Sequence, residues 1–506
     1  LEGVSVAERV LIVGAGFSGS ILAAGLARNG WECVLIDAGS HPRFAVGESS
    51  TPIADFLLAR IARRWNLPEL EPMTCWGHWQ SALPDVAVGK KRGFSYFHHT
   101  RNRSWQLDRR AADSLLVAAS SCDAWSDTHW YRPDVDQYLF SVAEAAGVTT
   151  RLECVLKEAV QRTDGGWNVT FDSRNGRPAE ELAPTKFDFV IDSSGAANAL
   201  GRWTGNARDD DWMRTQNASL FGHFTSVESF SKQVDYAQLA SGAIFDPDDA
   251  AQHHLTKDGW LWQLRFNNGI TSLGWVLTGD SRKVLDSDPT QSELRSWWDV
   301  QCQQYPSLSD SISEAKPATA LMFSRRVSRC LSRASGPGWA CSPGTYGLVD
   351  PLHSSGIAHS LYGVDELIGA LVVSGNRREK RLARYSQMRR QEMKWIDQLT
   401  SECYRQLGSF QRFRAATALY FVAAVHMENQ MADPRQDVRD GFLGSANELL
   451  QKSIGSVRRL PDALPDEQYI EGVRQAIAAS NTVGLLDPIS PHVVRHTTAP
   501  KHLTLS

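Results

Sequence analysis

The chain has 506 residues, 42% of them hydrophobic and 22% charged, a globular composition long enough for a large α/β core with insertions. With 53 Lys+Arg against 57 Asp+Glu its net charge is −4, which excludes the basic surface of a duplex nucleic-acid binder and points to a small ligand. The eight cysteines are scattered without a CxxC pair, and the apolar runs are far shorter than the about 20 residues of a membrane span. No zinc site, disulfide framework or membrane span is expected, and with no signal-peptide pattern a cytoplasmic protein is.

In chain order, Val10-Leu11-Ile12-Val13 is a short apolar run that predicts a buried parallel strand. Gly14-Ala15-Gly16-Phe17-Ser18-Gly19 satisfies GxGxxG, and apolar residues continue at helical spacing as far as Asn29-Gly30. A second strand, 32–36, ends at Asp37. This succession is a dinucleotide-binding unit. Gly14 permits the tight turn, Gly16 lets backbone approach a pyrophosphate, Gly19 brings helix close to strand, and the helix N-terminus favours phosphate charge. Asp37 falls where an acidic side chain accepts ribose hydroxyls. These forty residues alone leave FAD and NAD open.

The segment His41-Pro42-Arg43-Phe44-Ala45-Val46-Gly47-Glu48-Ser49-Ser50-Thr51-Pro52 follows the second strand directly. Further on, Gly89-Lys90-Lys91-Arg92 leads into a strand in which Phe94, Tyr96 and His98 alternate on one face; continuing the alternation puts Arg92 with them and Lys91 opposite. Residues 128–139 open a helix, and 187–192 read as one strand entering an Asp/Gly turn. Strands are expected over 218–224 and 270–276, with another around 259–268 that turns Trp260 and Trp262 to one side. Asp350-Pro351-Leu352-His353-Ser354-Ser355-Gly356 makes a turn opening into a helix over 357–372, whose N-terminal amides can hold an anion. The pattern then becomes helical at 379–407, 410–427 and 466–479. The expected fold class is α/β, a Rossmann-like dinucleotide-binding fold with an inserted β-sheet substrate domain. A first module would span 1–375, and a helical region, 376–506, would cap the substrate pocket.

Four of these segments resemble, in the same order, motifs of the flavin-dependent halogenases. Pro42 to Pro52 resembles their PR-x(3)-GES-x(2)-P, Thr128 to Leu139 their YxRxxxDxxL, Gly259-Trp260-Leu261-Trp262 their GWxWxIP, and Asp350 to Gly356 their DPLxSxG. The resemblance covers roughly residues 9–425 and is nearest to the pyrrolnitrin-pathway and phenol- or pyrrole-type enzymes. It implies an enzyme that uses O2, chloride or bromide, and FAD reduced by a separate flavin reductase. Hypohalous acid formed in this way would pass along a tunnel to a lysine beside an electron-rich aromatic, a phenol or pyrrole, free or carrier-tethered.

By the same resemblance Lys91 is that lysine, with Lys90 its competitor; an arginine, always charged, would not serve as an amine. Gly14, Gly16, Gly19, Asp37, Arg43, Asp192, Asp350 and Pro351 would bind FAD. Binding would be noncovalent, although Asp350 matches a position that is ester-linked to FAD in the chloramphenicol-pathway halogenase. The amides of Ser355 and Gly356 would bind halide, Glu48 would lie along flavin and tunnel, and Trp260 and Trp262 would screen flavin from substrate. His353, standing where tryptophan halogenases carry a substrate-orienting glutamate, would act as a base. One departure matters: Leu264-Arg265 replaces the family's Ile-Pro. It favours the alternative of an aromatic hydroxylase that reduces its own FAD with NAD(P)H. No metal is expected, because His98-His99 and His253-His254 lack partners at ligand spacing.

Overall fold

The structure is a computed structural model that describes residues 7–106, 113–174, 185–236, 244–283, 285, 288–432, 438–489 and 493–494. The strand Arg9–Val13 lies between Glu32–Ile36 and Phe189–Asp192, parallel to both. Thr149–Arg151 extends the sheet on one side, and Trp339–Cys341 with its hairpin partner Ser335–Gly336 on the other. The near-continuous apolar run of Arg9–Val13 follows from this central position, covered on both faces. The helix Phe17–Arg28 packs on the sheet so tightly that a Cβ on Gly19 would lie 1.9 Å from the Gly14 carbonyl oxygen.

Residues 187–192 are not one strand. Thr185–Phe187 pairs antiparallel with Trp167–Ser173 in a separate three-stranded sheet, and only Phe189–Asp192 enters the main one. The break falls at Asp188, whose carboxylate accepts the Arg9 amide at 2.8 Å.

Among the described residues the larger sheet has nine strands. Its centre runs Ala218–Thr225, Thr271–Leu277, Gly259–Arg265, Ala251–Thr256, Gly93–His98 and Ser114–Ala118. The helix Phe410–Met431 crosses one face as an aromatic zipper. Phe410 stacks on His98, Phe413 meets Tyr96 edge-on, and Phe421 meets Phe94 with ring centroids 5.4 Å apart. The helical spacing of Phe410, Phe413 and Phe421 here meshes with the two-residue period of the strand. The opposite face is filled by Phe97, Trp105, Phe230 and Phe245.

The lysine strand departs from the alternation expected of it. Val88–Lys91 pairs with Asp127–Trp130 in its own two-stranded sheet, and Gly93–His98 starts afresh in the large one. At the junction, a Cβ on Gly93 would lie 2.0 Å from the Val117 carbonyl oxygen. The phase changes there. Lys91 Nζ sits 4.1 Å from the Phe94 ring centroid, whereas Arg92 reaches Asp123 and the Phe245 ring on the other face.

The helix after the Asp-Pro turn is Gly356–Leu371. It is followed by the 31-residue helix Gly375–Arg405, then by Phe410–Met431, Glu448–Arg458 and Asp466–Ile477; Glu448–Arg458 was not expected. Among the described residues no helix is long and apolar enough to cross a membrane, and no cluster of side chains could hold a metal ion.

Candidate active site

A cavity of about 310 Å³ lies where the two large sheets meet. Its walls bring together Gly16, Phe17 and Ser18 of the glycine turn, Glu48 and Ser49, Trp260 and Trp262, and Asp350, Pro351, Ser354 and Gly356 of the Asp-Pro turn. Segments more than 300 residues apart in sequence therefore share one chamber.

At the nucleotide end, Gly14 has φ +107°, a conformation that glycine adopts freely, and no side chain caps the helix Phe17–Arg28. The Asp37 carboxylate accepts from the amides of Ala15 (2.7 Å) and Gly39 (2.8 Å) and from Arg43 Nη2 (2.9 Å), which fixes the end of the second strand to the glycine turn. Arg132, inside the YxRxxxDxxL segment, grips Asp136 through two bonds of 2.8 Å and holds the carbonyls of Val46 and Gly47. The first turn of its helix thereby clamps the segment that carries Glu48.

Asp192 does not line the cavity. Its carboxylate takes the amides of Ser194 and Leu200 and the Ser194 hydroxyl, shaping a turn from which Ser193 and Gly195 reach the wall. The hydroxyls of Ser49 and Ser193, on that wall, and Arg43 Nε are buried without a hydrogen-bond partner. Orphaned polar atoms at a cavity are what a polar ligand satisfies. With the open helix N-terminus and the arginines Arg43 and Arg132, they fit a flavin dinucleotide.

Across the cavity, Glu48 is 3% exposed and shares a 2.5 Å hydrogen bond with His223 Nε2, itself enclosed by Phe44, Tyr131 and Phe266. The Trp260 and Trp262 rings are 6.2 Å apart and both face the chamber. Trp260 donates to the Tyr404 hydroxyl at 2.8 Å, and Trp262 to Ser272 at 3.1 Å. Leu264 continues this wall. The Arg265 side chain turns away from it, donating to the carbonyls of Val227 and Glu228.

Lys91 is fully buried behind the Ser49-Ser50 segment, its ammonium donating to the Ser50 carbonyl at 2.5 Å. It stands opposite Asp127 in the register of its strand pair. Lys90 instead points outward, to Asp123 and Asp249. The structure thus separates two neighbouring lysines that the sequence leaves as rivals.

In the Asp-Pro turn, Asp350 accepts from Asn217 (2.8 Å), Tyr404 (2.7 Å) and the Leu352 amide (3.0 Å). Burial lifts its pKa to about 6, against the pull of those donors. Ser354 takes φ +53°, and Ser355 precedes the first residue of Gly356–Leu371, which no side chain caps. Gly356 borders the cavity; Ser355 does not.

The tryptophan halogenase family matches residues 126–406, and a NAD(P)-binding Rossmann-like domain matches 12–59. The chain belongs to the tryptophan halogenase family. It is 25% identical to the tetracycline 7-halogenase of Kitasatospora aureofaciens, over 82% of this chain and 73% of that one. It is 24% identical to the monodechloroaminopyrrolnitrin halogenase PrnC of Pseudomonas fluorescens, over 82% and 71%. The solved structure of the halogenase PltM in complex with phloroglucinol and FAD shares the fold, with TM-score 0.80 and 21% identity over 96% of this chain and 99% of that one. The expectation of a flavin-dependent halogenase, an enzyme with a Rossmann-like domain, is thereby upheld.

Within this halogenase fold, His353 is set apart from the other expected site residues. It lies outside the cavity lining, flat against Tyr420 at 4.2 Å, and burial lowers its pKa to about 3, so it stays neutral and weakly basic at neutral pH. Cys403 Sγ lies 3.6 Å from His353 Nε2 and 3.5 Å from the Leu399 carbonyl. Nδ1 is buried without a hydrogen-bond partner. Arg132, His223, Cys403 and Tyr404 were not singled out from sequence. The Arg132–Asp136 spacing of four on a helix was a signal for the first; nothing local marks the other three.

Proposed function

We propose that this protein is a flavin-dependent halogenase that binds FAD noncovalently and halogenates a small electron-rich aromatic through Lys91. The observation that carries the reading is Lys91 itself, an amine fully buried and held at the Ser50 carbonyl behind the wall of the cavity. A buried amine is protected from water, as a group that hydrogen-bonds or carries reactive halogen must be.

Bound FAD, reduced by a separate flavin reductase, would supply the oxidation of halide to hypohalous acid with O2. The chain's own residues do the rest. The glycine turn with Gly14, Gly16 and Gly19, with Asp37 and Arg43 shaping its edge and Asp192 the neighbouring turn, holds the nucleotide. Asp350 and Pro351 set the turn from which the amides of Ser355 and Gly356 receive halide. Glu48, locked by His223, and the indoles of Trp260 and Trp262 form the passage and exclude substrate from the flavin end. Lys91 then meets the aromatic under the helix Phe410–Met431. His353, whose buried Nδ1 has no hydrogen-bond partner, would take the phenolic O–H or pyrrole N–H of the substrate as acceptor or base.

The test supplies FAD, a flavin reductase, NADPH, and chloride or bromide to the protein with a panel of free phenols and pyrroles, and reads products by mass. Halogenated product is expected, falling by about 10²-fold or more in Lys91→Ala while oxygen consumption continues. Hydroxylated product that is indifferent to halide, with the bound flavin bleached by NADPH alone, would show the hydroxylase instead.

A further inference from the structure

The last turn of the long helix Gly375–Arg405 touches the site twice. Tyr404 OH donates to Asp350 at 2.7 Å and accepts from Trp260 Nε1 at 2.8 Å, while Cys403 Sγ lies 3.6 Å from His353 Nε2. One hydroxyl thus uses both its donor and its acceptor capacity, and its two partners come from opposite walls: Trp260 from the large sheet, Asp350 from the turn before Gly356–Leu371. Both partners are buried, Trp260 1% and Asp350 5% exposed. Asn217 holds the other Asp350 oxygen at 2.8 Å but makes no bond to the indole.

We propose that Tyr404 is a positioning residue of the halogenation site, whose hydroxyl ties the Trp260 indole to the Asp350 turn so that screen and anion-binding turn keep one relative position. The proposal rests on the functional reading above for its consequence, but not for its mechanics. Phenylalanine at 404 would leave an indole N–H and a carboxylate oxygen without their shared partner in a dry site, and each wall would move independently.

The mechanics are tested on FAD-free protein by hydrogen–deuterium exchange of the backbone at 348–356. Tyr404→Phe and Trp260→Phe are both expected to speed exchange there by about fivefold or more, the factor that one lost hydrogen bond corresponds to. Tyr469→Phe is the control, since that buried hydroxyl donates to Glu402 on the same helix at 2.7 Å and touches neither wall; it should leave the turn at the wild-type rate. Should Tyr404→Phe not fold, Trp260→Phe removes the same bond from its other end. Wild-type exchange in Trp260→Phe, or equal acceleration by Tyr469→Phe, overturns the proposal.

The consequence is read separately as the share of hypohalous acid caught by an external thioether instead of reaching substrate. It should rise about fivefold in Tyr404→Phe and stay unchanged in Tyr469→Phe. If no halogenation is found with any substrate, the functional reading fails while the exchange result still stands.

Discussion

Arg265 stands where the family carries proline, and its side chain explains how the site tolerates the change. The guanidinium binds the carbonyls of Val227 and Glu228 and approaches Asp248 at 3.5 Å, so it ties the end of the Trp strand to the loop after Ala218–Thr225. Arg265→Ala strips two carbonyls of charged donors, a loss of about 1–3 kcal/mol. It is expected to lower the melting temperature by about one to three degrees while leaving product formed per flavin oxidised unchanged, because Leu264 and not Arg265 faces the cavity. A loss of coupling in this variant would show that the departure touches chemistry. The residues whose roles were legible in the sequence, such as Gly14, Gly19 and Asp350, act through backbone geometry or a local turn. Tyr404 and His223 act through partners 54 and 175 residues away, a relation that no short window contains.

At the scale of elements, the strand pairs decide which side chains face the chamber. Trp262 lies opposite Gly274 in the register of Gly259–Arg265 and Thr271–Leu277, and a Cβ on Gly274 would fall 2.1 Å from the indole ring. Glycine there is what lets the indole lie across the neighbouring strand. Gly274→Ala is expected to push Trp262 off its Ser272 bond, costing about 1–3 kcal/mol by overpacking. Near-ultraviolet circular dichroism should change along with the melting temperature, and an unchanged aromatic signal would mean that the ring relaxes elsewhere. Periodicity revealed the elements it singled out to within a few residues, but not the strands Ser114–Ala118 and Ala251–Thr256 of the large sheet. It misassigned the faces of Lys91 and Arg92 because the pattern was extended through Gly93, where the chain leaves one sheet for another. No alternation survives such a step, since side-chain phase is conserved only within a continuous strand. The helix Glu448–Arg458 escaped for a different reason: only Leu450, Ile454 and Val457 are its buried apolar anchors, too sparse to stand out among its polar residues.

For the whole molecule, the buried histidines set the response to acid. Burial holds His99 and His353 to about 3 and His253 to about 4, all below the ordinary value near 6.5. His41, His129, His254 and His359 are shifted in the same direction. In each case the unfolded chain binds a proton that the folded one refuses, so the stability these groups confer is complete above about pH 6.5 and is lost as pH falls toward 4, by about 1.4 kcal/mol per unit for each proton. Asp350 and Glu366 work against this. Their folded-state values, about 6 and about 7, exceed those of free carboxyls, so their contribution is complete below about pH 4 and fades as pH rises through 6 to 7. Burial raises Asp192 and Asp249 in the same direction, and seven histidines against these four carboxyls leave a net proton uptake on unfolding near pH 5. Urea titrations from pH 6.5 down to 4.5 should therefore show stability falling steadily, and Asp350→Asn, which removes one opposing group, should make the fall steeper. A flat profile would mean that the histidine cluster around Lys91 and the Asp-Pro turn is open to water, and the dry chamber on which the lysine's chemistry depends would be gone with it.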